Sequence, residues 1–256
     1  MSDRHPDVAA VVLAAGMGKR MHSDLAKVLH VMAGKPLLGH VLDTLGELGV
    51  GRTVVVIGYQ RERVRAAFAG RGDLEWAVQA EQRGTGHACM MAEPLLSDFR
   101  GTLLVVCGDT PLLTAPTLHA LLVRHAESAA EVTVLSMRLA DPTGYGRIVR
   151  TADGHGIERI VEEKDASPEV KAIDEVNSGI YAFDHTALSR VLSSLTANNS
   201  QGEYYLTDTV ALLQARGGRA GVWCAADARE LLGINTPEQL EEAEQAWLAM
   251  RRGGEA

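Results

Sequence analysis

Between Ala9 and Lys27 the sequence AAVVLAAGMGKRMHSDLAK joins an apolar run to two glycines and three cations. The run, Ala9 to Ala15, has the length and β-branched content of a buried strand. It ends at Gly16 and Gly18, and Lys19, Arg20 and Lys27 follow. Small residues let a backbone approach a ligand closely, and their N–H groups can converge on an anion. Cations beside such a turn, at the end of a first strand, suit a triphosphate. The spacing is not that of a Walker A loop, because Arg20 stands where Ser or Thr would hold a metal, and it is not GxGxxG. Taken alone, the pattern also describes a tight turn with surface lysines.

Three further stretches carry chemistry. Thr102–Cys107 is an apolar strand ending in Gly108-Asp109-Thr110-Pro111. Ligands of open parallel sheets sit at the carboxyl ends of strands. An Asp there, after a space-leaving Gly, suits Mg²⁺ facing phosphates; the alternative is that Asp109 only caps the turn begun by Pro111. Gln79-Ala-Glu-Gln-Arg-Gly84-Thr85-Gly86 also follows a strand and opens a helix. A Gln amide presents a donor and an acceptor side by side, matching the edge of a uracil, while the glycines would let main chain lie against base or ribose; the alternative is a glycine-rich helix start with no ligand. Gly144-Tyr-Gly146-Arg147 is a small-aromatic-small turn entering a strand. Glu162 and Asn177, if they share a pocket, would suit sugar hydroxyls, while in isolation such strand-end groups read as solvated. Gln201–Asp208 is unusually polar and aromatic for a helix start. Asn235, after Gly233-Ile234, precedes the last helix and reads as its cap or as a ligand-binding residue.

The elements that must position these residues alternate. Helix patterns over 35–49, 60–69, 85–96 and 116–128 separate strand patterns over 53–57, 75–79, 102–107 and 131–137. This order predicts an α/β fold with a mostly parallel, Rossmann-like sheet and helices on both faces. The second half is strand-rich: 145–150, 156–163 and 177–183 read as strands, 185–195 and 205–215 as helices, and 219–225 as a last strand. A polar helix over 236–251 carries Leu240, Ala243, Trp247 and Met250 on one side, with a frayed 252–256 after it. The domain expectation is therefore 7–235 for the catalytic unit and 236–256 for a linking helix and tail.

Composition narrows the partners. The chain has 256 residues, 46% hydrophobic and 23% charged, with a net charge of −8. That charge repels nucleic acids and acidic membranes, and no apolar run approaches a membrane span. Cys89, Cys107 and Cys224 lack CxxC spacing, which fits a reducing cytosol and a cytoplasmic location. The nine histidines form no HExxH, and His119 and His125 read as solvated on a surface helix.

The order LAAGMGKRM, AKVLHVMAGKP, VQAEQRGTGHA, GDTPLL, DPTGYGRIV, IVEEKDA, EVNSGIYAF, NNSQGEYYLTD and GIN closely resembles the pyrophosphorylase half of bacterial N-acetylglucosamine-1-phosphate uridyltransferases, over about Val11 to Asn235. The resemblance implies coupling of UTP to N-acetylglucosamine 1-phosphate with release of pyrophosphate. It places the nucleotide loop on Leu13, Ala14, Ala15, Gly16 and Arg20, the phosphate lysine on Lys27, and uracil reading on Gln79, Gly84 and Thr85. Gly108 and Asp109 form the Gly-Asp motif. Asp109 and Asn235 become Mg²⁺ ligands, and Gly146, Glu162, Asn177, Tyr205 and Thr207 sugar contacts. Arg20, Lys27 and Asp109 are the expected catalytic groups. The chain departs from the pattern at Ala26, where the family usually has a proline; the expectation is a looser loop. Cys107 is a second departure. No hexapeptide repeats follow Asn235, so neither acetyl transfer nor a β-helix trimer is expected, and a monomer or weak dimer is. The alternatives are another sugar 1-phosphate or nucleotide, or a catalytically silent nucleotide-sugar binding protein.

Overall fold

Alternation along the first strand sets the layering. The computed structural model describes residues 5–253, with side chains through residue 250. In β1 (His5–Ala14), Ala10, Val12 and Ala14 enter one apolar cluster, while Ala9 and Val11 enter another. Successive side chains of a strand point to opposite faces, so a strand apolar throughout needs cover on both.

That cover comes from the elements that follow. A small hairpin, β2 (Val31–Met32) and β3 (Lys35–Pro36), leads into α1 (Leu37–Leu48) and β4 (Val50–Ile57). Next come α2 (Arg61–Ala67), β5 (Leu74–Val78), α3 (Thr85–Ala92), β6 (Thr102–Cys107), α4 (Ala115–Ser128) and β7 (Val132–Arg138). The second half holds β8 (Arg147–Arg150), β9 (Ile157–Val161), the one-turn α5 (Pro168–Lys171) and β10 (Glu175–Asp184). It closes with α6 (His185–Leu192), α7 (Asp208–Gln214), β11 (Ala220–Cys224) and α8 (Pro237–Gly253).

The main sheet runs β11-β7-β10-β6-β1-β4-β5, with β8 and β9 attached beside β10. β1 pairs in parallel with β4 and β6, and β11 with β7, but β10 is antiparallel to both β6 and β7. The Rossmann-like expectation holds, and the strand read over 177–183 proves to be a central member of the sheet. It continues into the β8–β9 arm through Val176, opposite Arg147. A shift of register between Asn177 and Ile180 lets one chain serve both sheet and arm.

In α1, Leu38, Val41, Leu42 and Leu45 form a stripe at helical spacing, each at most 1% exposed, against β1 and α4. Burying one such side chain contributes roughly 1.5–3 kcal/mol. Gly49 ends the helix in the left-handed conformation (φ 75°), where a Cβ would be strained. Pro36 lies in β3 just before the helix, so the element begins two residues later than the pattern over 35–49 suggested.

Two expectations change. His125 is 6% exposed and not solvated, because its face of α4 turns inward and its Nδ1 meets Thr133 Oγ1 at 2.9 Å; burial holds its pKa below the usual value. His119 meets His5, Nδ1 to Nε2, at 3.1 Å. The last helix extends through Gly253, past the start of the expected frayed tail; residues 254–256 lie outside the described ones. Ala243 and its neighbours Leu240, Ala246 and Trp247 pack on Met21, Met32, Leu37, Leu112 and Ile234, and Ala33 N–H donates to Glu244 Oε1 at 2.6 Å. The apolar side of α8 thus folds back onto the body, with Met250 left 37% exposed. Cys89, Cys107 and Cys224 are free thiols.

Candidate functional site

Three chain segments meet where β1 and β6 end. Gly108 N–H donates to Leu13 O (2.9 Å), and a Cβ on Gly108 would stand 3.2 Å from both Ala14 Cβ and Leu13 O. This close approach of the two strand ends puts Asp109 beside the loop after β1. Ile234 N–H donates to Asp109 O at 2.9 Å, bringing in the third segment with Asn235.

Lys27 lies at the centre of this junction. Its Nζ forms an ion pair with Asp109 Oδ2 and donates to Asn235 Oδ1 at 3.0 Å. Asn235 is aimed by its own surroundings: its Nδ2 donates to Gly233 O (2.9 Å), and its N–H donates to Gln239 Oε1 (2.8 Å). Asp109 therefore does more than cap a turn: its carboxylate faces Lys27, while Thr110 Oγ1 donates to Cys107 O at 2.8 Å. Gly18, left-handed at φ 74°, lies so close to Lys27 that a Cβ there would stand 2.6 Å from Lys27 Cβ.

One carboxylate and one amide oxygen converging on a single ammonium is also a donor set for a hard divalent ion. Gly233 flanks the carboxylate, a Cβ there falling in ordinary contact at 3.5 Å from Asp109 Oδ2. The residues fit Mg²⁺ as two protein ligands. Among the described residues no group of three or more His, Cys, Asp or Glu side chains could hold a metal.

A cleft of about 270 Å³ opens beside this junction, lined by Leu13, Ala14, Ala15, Gly16, Lys27, Gln79, Gly84, Thr85 and Asp109 among others. Arg20 does not line it. That side chain is exposed on the short turn Lys19–Met21, with no hydrogen bond or ion pair among the described residues. Gln79 is 3% exposed, and its Nε2 is held by Gly84 O (2.9 Å) and His87 Nδ1 (3.1 Å). The amide nitrogen is thus occupied within the protein, and Oε1 is the edge left for a ligand. Gly84 and Gly86 meet protein backbone: at Gly84 (φ 101°) a Cβ would stand 2.5 Å from Tyr204 O, and Gly86 N–H donates to that oxygen at 2.8 Å. Thr85 Oγ1 accepts from Leu206 N–H at 3.1 Å. The glycine-rich loop is therefore stapled to the segment 204–206.

That staple joins the cleft to a second group. Thr207 donates to Glu162 Oε1 (3.0 Å), and Gly146 leaves room for Glu162, a Cβ there falling 3.3 Å from Glu162 Oε2. Asn177 N–H donates to Gly146 O (2.8 Å), and its Nδ2 donates to Tyr181 OH (2.7 Å). Burial raises the Glu162 pKa above the usual carboxylate range, partly offset by the Thr207 hydroxyl. Gly146, Glu162, Asn177 and Thr207 thus form one group. Tyr205 stands slightly apart, its hydroxyl between Gln201 Nε2 (2.8 Å) and Asp165 Oδ2 (3.2 Å).

The family model for nucleotidyl transferases matches residues 9–248, which include every residue of both groups. The chain belongs to the nucleotidyl transferase family. Among curated relatives it is 48% identical over 236 residues to the bifunctional protein GlmU of Geobacillus thermodenitrificans, covering 92% of this chain and 51% of that protein. It is 51% identical over 235 residues to the GlmU of Heliobacterium modesticaldum (92% and 51% covered). Against that of Corynebacterium glutamicum it is 48% identical over 256 residues (96% and 53% covered). The chain spans about half the length of these relatives.

In this nucleotidyl transferase fold the structure also brings to the site residues that the sequence did not single out as candidates, among them Gln82 and Tyr145. Gln82 lines the cleft and donates to Ala15 O at 3.1 Å. Tyr145 packs against the core; burial raises its phenol pKa, with Asp109 adding to that effect and Arg20 opposing it. Cys107 lines the cleft, and burial pushes its thiol up to about 12, which keeps it unreactive. Both Gln82 and Tyr145 sit inside quoted motifs, so position in a motif was the available signal. The Ala26 departure also resolves differently: Ala26 is 1% exposed, and its N–H donates to Gln60 Oε1 at 3.0 Å. The loop is tied by a hydrogen bond that proline could not make.

Proposed function

We propose that this nucleotidyl transferase chain moves a uridylyl group from UTP to N-acetylglucosamine 1-phosphate. A phosphate oxygen of the sugar phosphate attacks the α-phosphorus of UTP. The bond to the bridging oxygen of the β-phosphate breaks, and UDP-N-acetylglucosamine and pyrophosphate result. The observation that carries this reading is the convergence of Lys27, Asp109 and Asn235 beside a cleft bounded on one side by Gln79. The Glu162–Thr207 group is stapled to the same loop.

Both reactants are anions, so positioning and neutralisation supply most of the acceleration. Asp109 and Asn235 would hold Mg²⁺, which when bound supplies positive charge to phosphate oxygens. Lys27 neutralises oxygens at the reacting centre. Arg20, exposed and without a hydrogen bond or ion pair among the described residues, is assigned to the departing pyrophosphate. Gln79 Oε1 accepts from the uracil imide N–H, and Gly84 and Thr85 bound the base. Glu162, Asn177 and Thr207, with Gly146 giving space, take sugar hydroxyls or the acetamido group; Tyr205 closes that end. A phosphate monoester is already largely ionised at neutral pH, so no general base is required.

No helix among the described residues is long and apolar enough to cross a membrane. We assign the chain to the cytosol on its three free thiols, exclude nucleic-acid partners on its net charge of −8, and assign a monomer or weak dimer because α8 packs its apolar stripe on the body. Light scattering showing a stable trimer of this chain at micromolar concentration would overturn the oligomeric assignment. The decisive test of function is pyrophosphate release across a panel of nucleotides and sugar 1-phosphates. Turnover should be fastest with UTP and N-acetylglucosamine 1-phosphate. Preference for another pair would replace the substrates, and silence with every pair would refute an enzymatic role.

A further inference from the structure

Lys27 can act only if the backbone beneath it is held; Val28 and Leu29 after it are buried in the core, but the chain leading into it has fewer anchors. Residues 22–24 are exposed, and His22 takes the left-handed conformation at φ 48°. Gly18 presses on the lysine stem from one side. On the other side two neighbouring side chains reach across from a distant part of the sequence: Tyr59 OH donates to Asp24 O at 3.3 Å, and Gln60 makes the closer contacts. Gln60 Oε1 accepts from Ala26 N–H at 3.0 Å, and Gln60 Nε2 donates to Asp24 O at 2.6 Å. One amide therefore clips both a donor and an acceptor of the segment leading into Lys27.

The clip is itself anchored to the cleft. Gln60 follows Gly58 and Tyr59 at the end of β4, and Tyr59 N–H donates to Ala15 O at 3.1 Å. A Cβ on Gly58 would stand 2.9 Å from both Ala15 O and Gln79 O, so only glycine lets this turn lie against the cleft wall. Gln60 is left-handed at φ 49°, an uncommon conformation for a residue with a side chain. Strain of this kind persists where surrounding structure overdetermines it. Here it aims the amide back at residues 24–26 instead of into solvent.

We propose that Gln60 is a positioning residue for Lys27: it fixes Ala26, and through Ala26 the point from which the lysine reaches Asp109, Asn235 and the reacting phosphate. The proposal rests on the uridylyl-transfer reading for its kinetic consequence, but not for its structural one. A displacement of about 1 Å at a reacting centre can reduce turnover by ~100-fold. Gln60→Ala should therefore lower kcat by roughly 10- to 100-fold, while the KM for UTP shifts by less than about threefold.

A double-mutant cycle separates positioning from general damage. In a Lys27→Ala background, Gln60→Ala should cost nothing further in kcat beyond about twofold, because the group it positions is gone. Equal losses in both backgrounds would overturn the proposal. So would a kcat for Gln60→Ala within about twofold of the parent. A second arm needs no turnover: the rate of Lys27 acylation by acetic anhydride in the ligand-free protein, read by mass spectrometry. Gln60→Ala should raise that rate several-fold over a control lysine such as Lys35, and an unchanged rate refutes the clip. If the parent protein releases no pyrophosphate with any substrate pair, the functional reading fails, and the acylation arm alone decides the role of Gln60.

Discussion

Replacing Lys27 by Met should have two opposite effects, stronger binding of a divalent ion and loss of turnover. In the ligand-free protein the lysine ammonium sits on Asp109 and Asn235, the two groups assigned to the ion. The side chains of Lys27 and Asp109 are only 16% and 15% exposed, so water screens this contact weakly. A hydrogen bond involving a charged group contributes roughly 1.5–3 kcal/mol. An arriving ion must displace at least one such contact, and each 1.4 kcal/mol is about tenfold in affinity. Lys27→Met should thus tighten Mn²⁺ binding by roughly 10- to 100-fold, measured by electron paramagnetic resonance titration without nucleotide. The variant leaves Asp109 without its cation, so its Tm should fall without metal and recover on adding Mn²⁺. Pyrophosphate release should drop by about 100-fold or more if Lys27 neutralises the transferred group as proposed. Mn²⁺ affinity that is unchanged or weaker in the variant would show that Lys27 does not compete for Asp109 and Asn235, and the shared-site reasoning would be wrong.

Other outcomes follow from single contacts. Gln79→Ala should reduce the preference for UTP over CTP by about 10- to 100-fold in kcat/KM, since Oε1 meets a donor on uracil and an acceptor on cytosine; an unchanged ratio would remove Gln79 from base reading. Glu162 carries a pKa raised chiefly by burial. A carboxyl whose folded pKa exceeds its unfolded value of 4.5 favours folding below that value and loses the contribution as pH rises towards the folded pKa. Glu162→Gln should therefore melt higher than the parent at pH 7 and converge with it near pH 4, while its KM for the sugar phosphate rises about tenfold; a lower Tm at pH 7 would contradict the burial effect. Gly84→Ala places a Cβ 2.5 Å from Tyr204 O at a φ of 101°. It should destabilise the protein by about 1–3 kcal/mol and raise the KM for UTP, as chemical denaturation and steady-state kinetics would report; a neutral result would mean the staple to 204–206 is slack.

Local pattern was sufficient for most elements and for the types of residue at the site. The alternation of 53–57, 75–79 and 102–107 with amphipathic segments dictates a parallel sheet covered on both sides, because no other packing buries both the strands and the helix stripes. The Gly-Asp at a strand end pointed to the cleft that Asp109 lines, whereas the glycines at a helix start serve the close approach of Tyr204 O. What the sequence could not express is who meets whom. β10 enters the centre of the sheet antiparallel to its neighbours, a choice set by sheet-wide burial of Ile180, Tyr181, Ala182 and Phe183 and invisible in a seven-residue window. His125 looked solvated because a polar residue on a polar helix gives no sign of the strand residue, Thr133, waiting beneath it. Gln60, far from Ala26 along the chain, carries no motif, since a clip made by one amide needs only geometry. The kinds of chemistry were determined by composition and local order; the partners of Lys27, Gln79 and Glu162 were decided by tertiary packing, because the contacts that orient a side chain come from segments that only folding brings within hydrogen-bond reach.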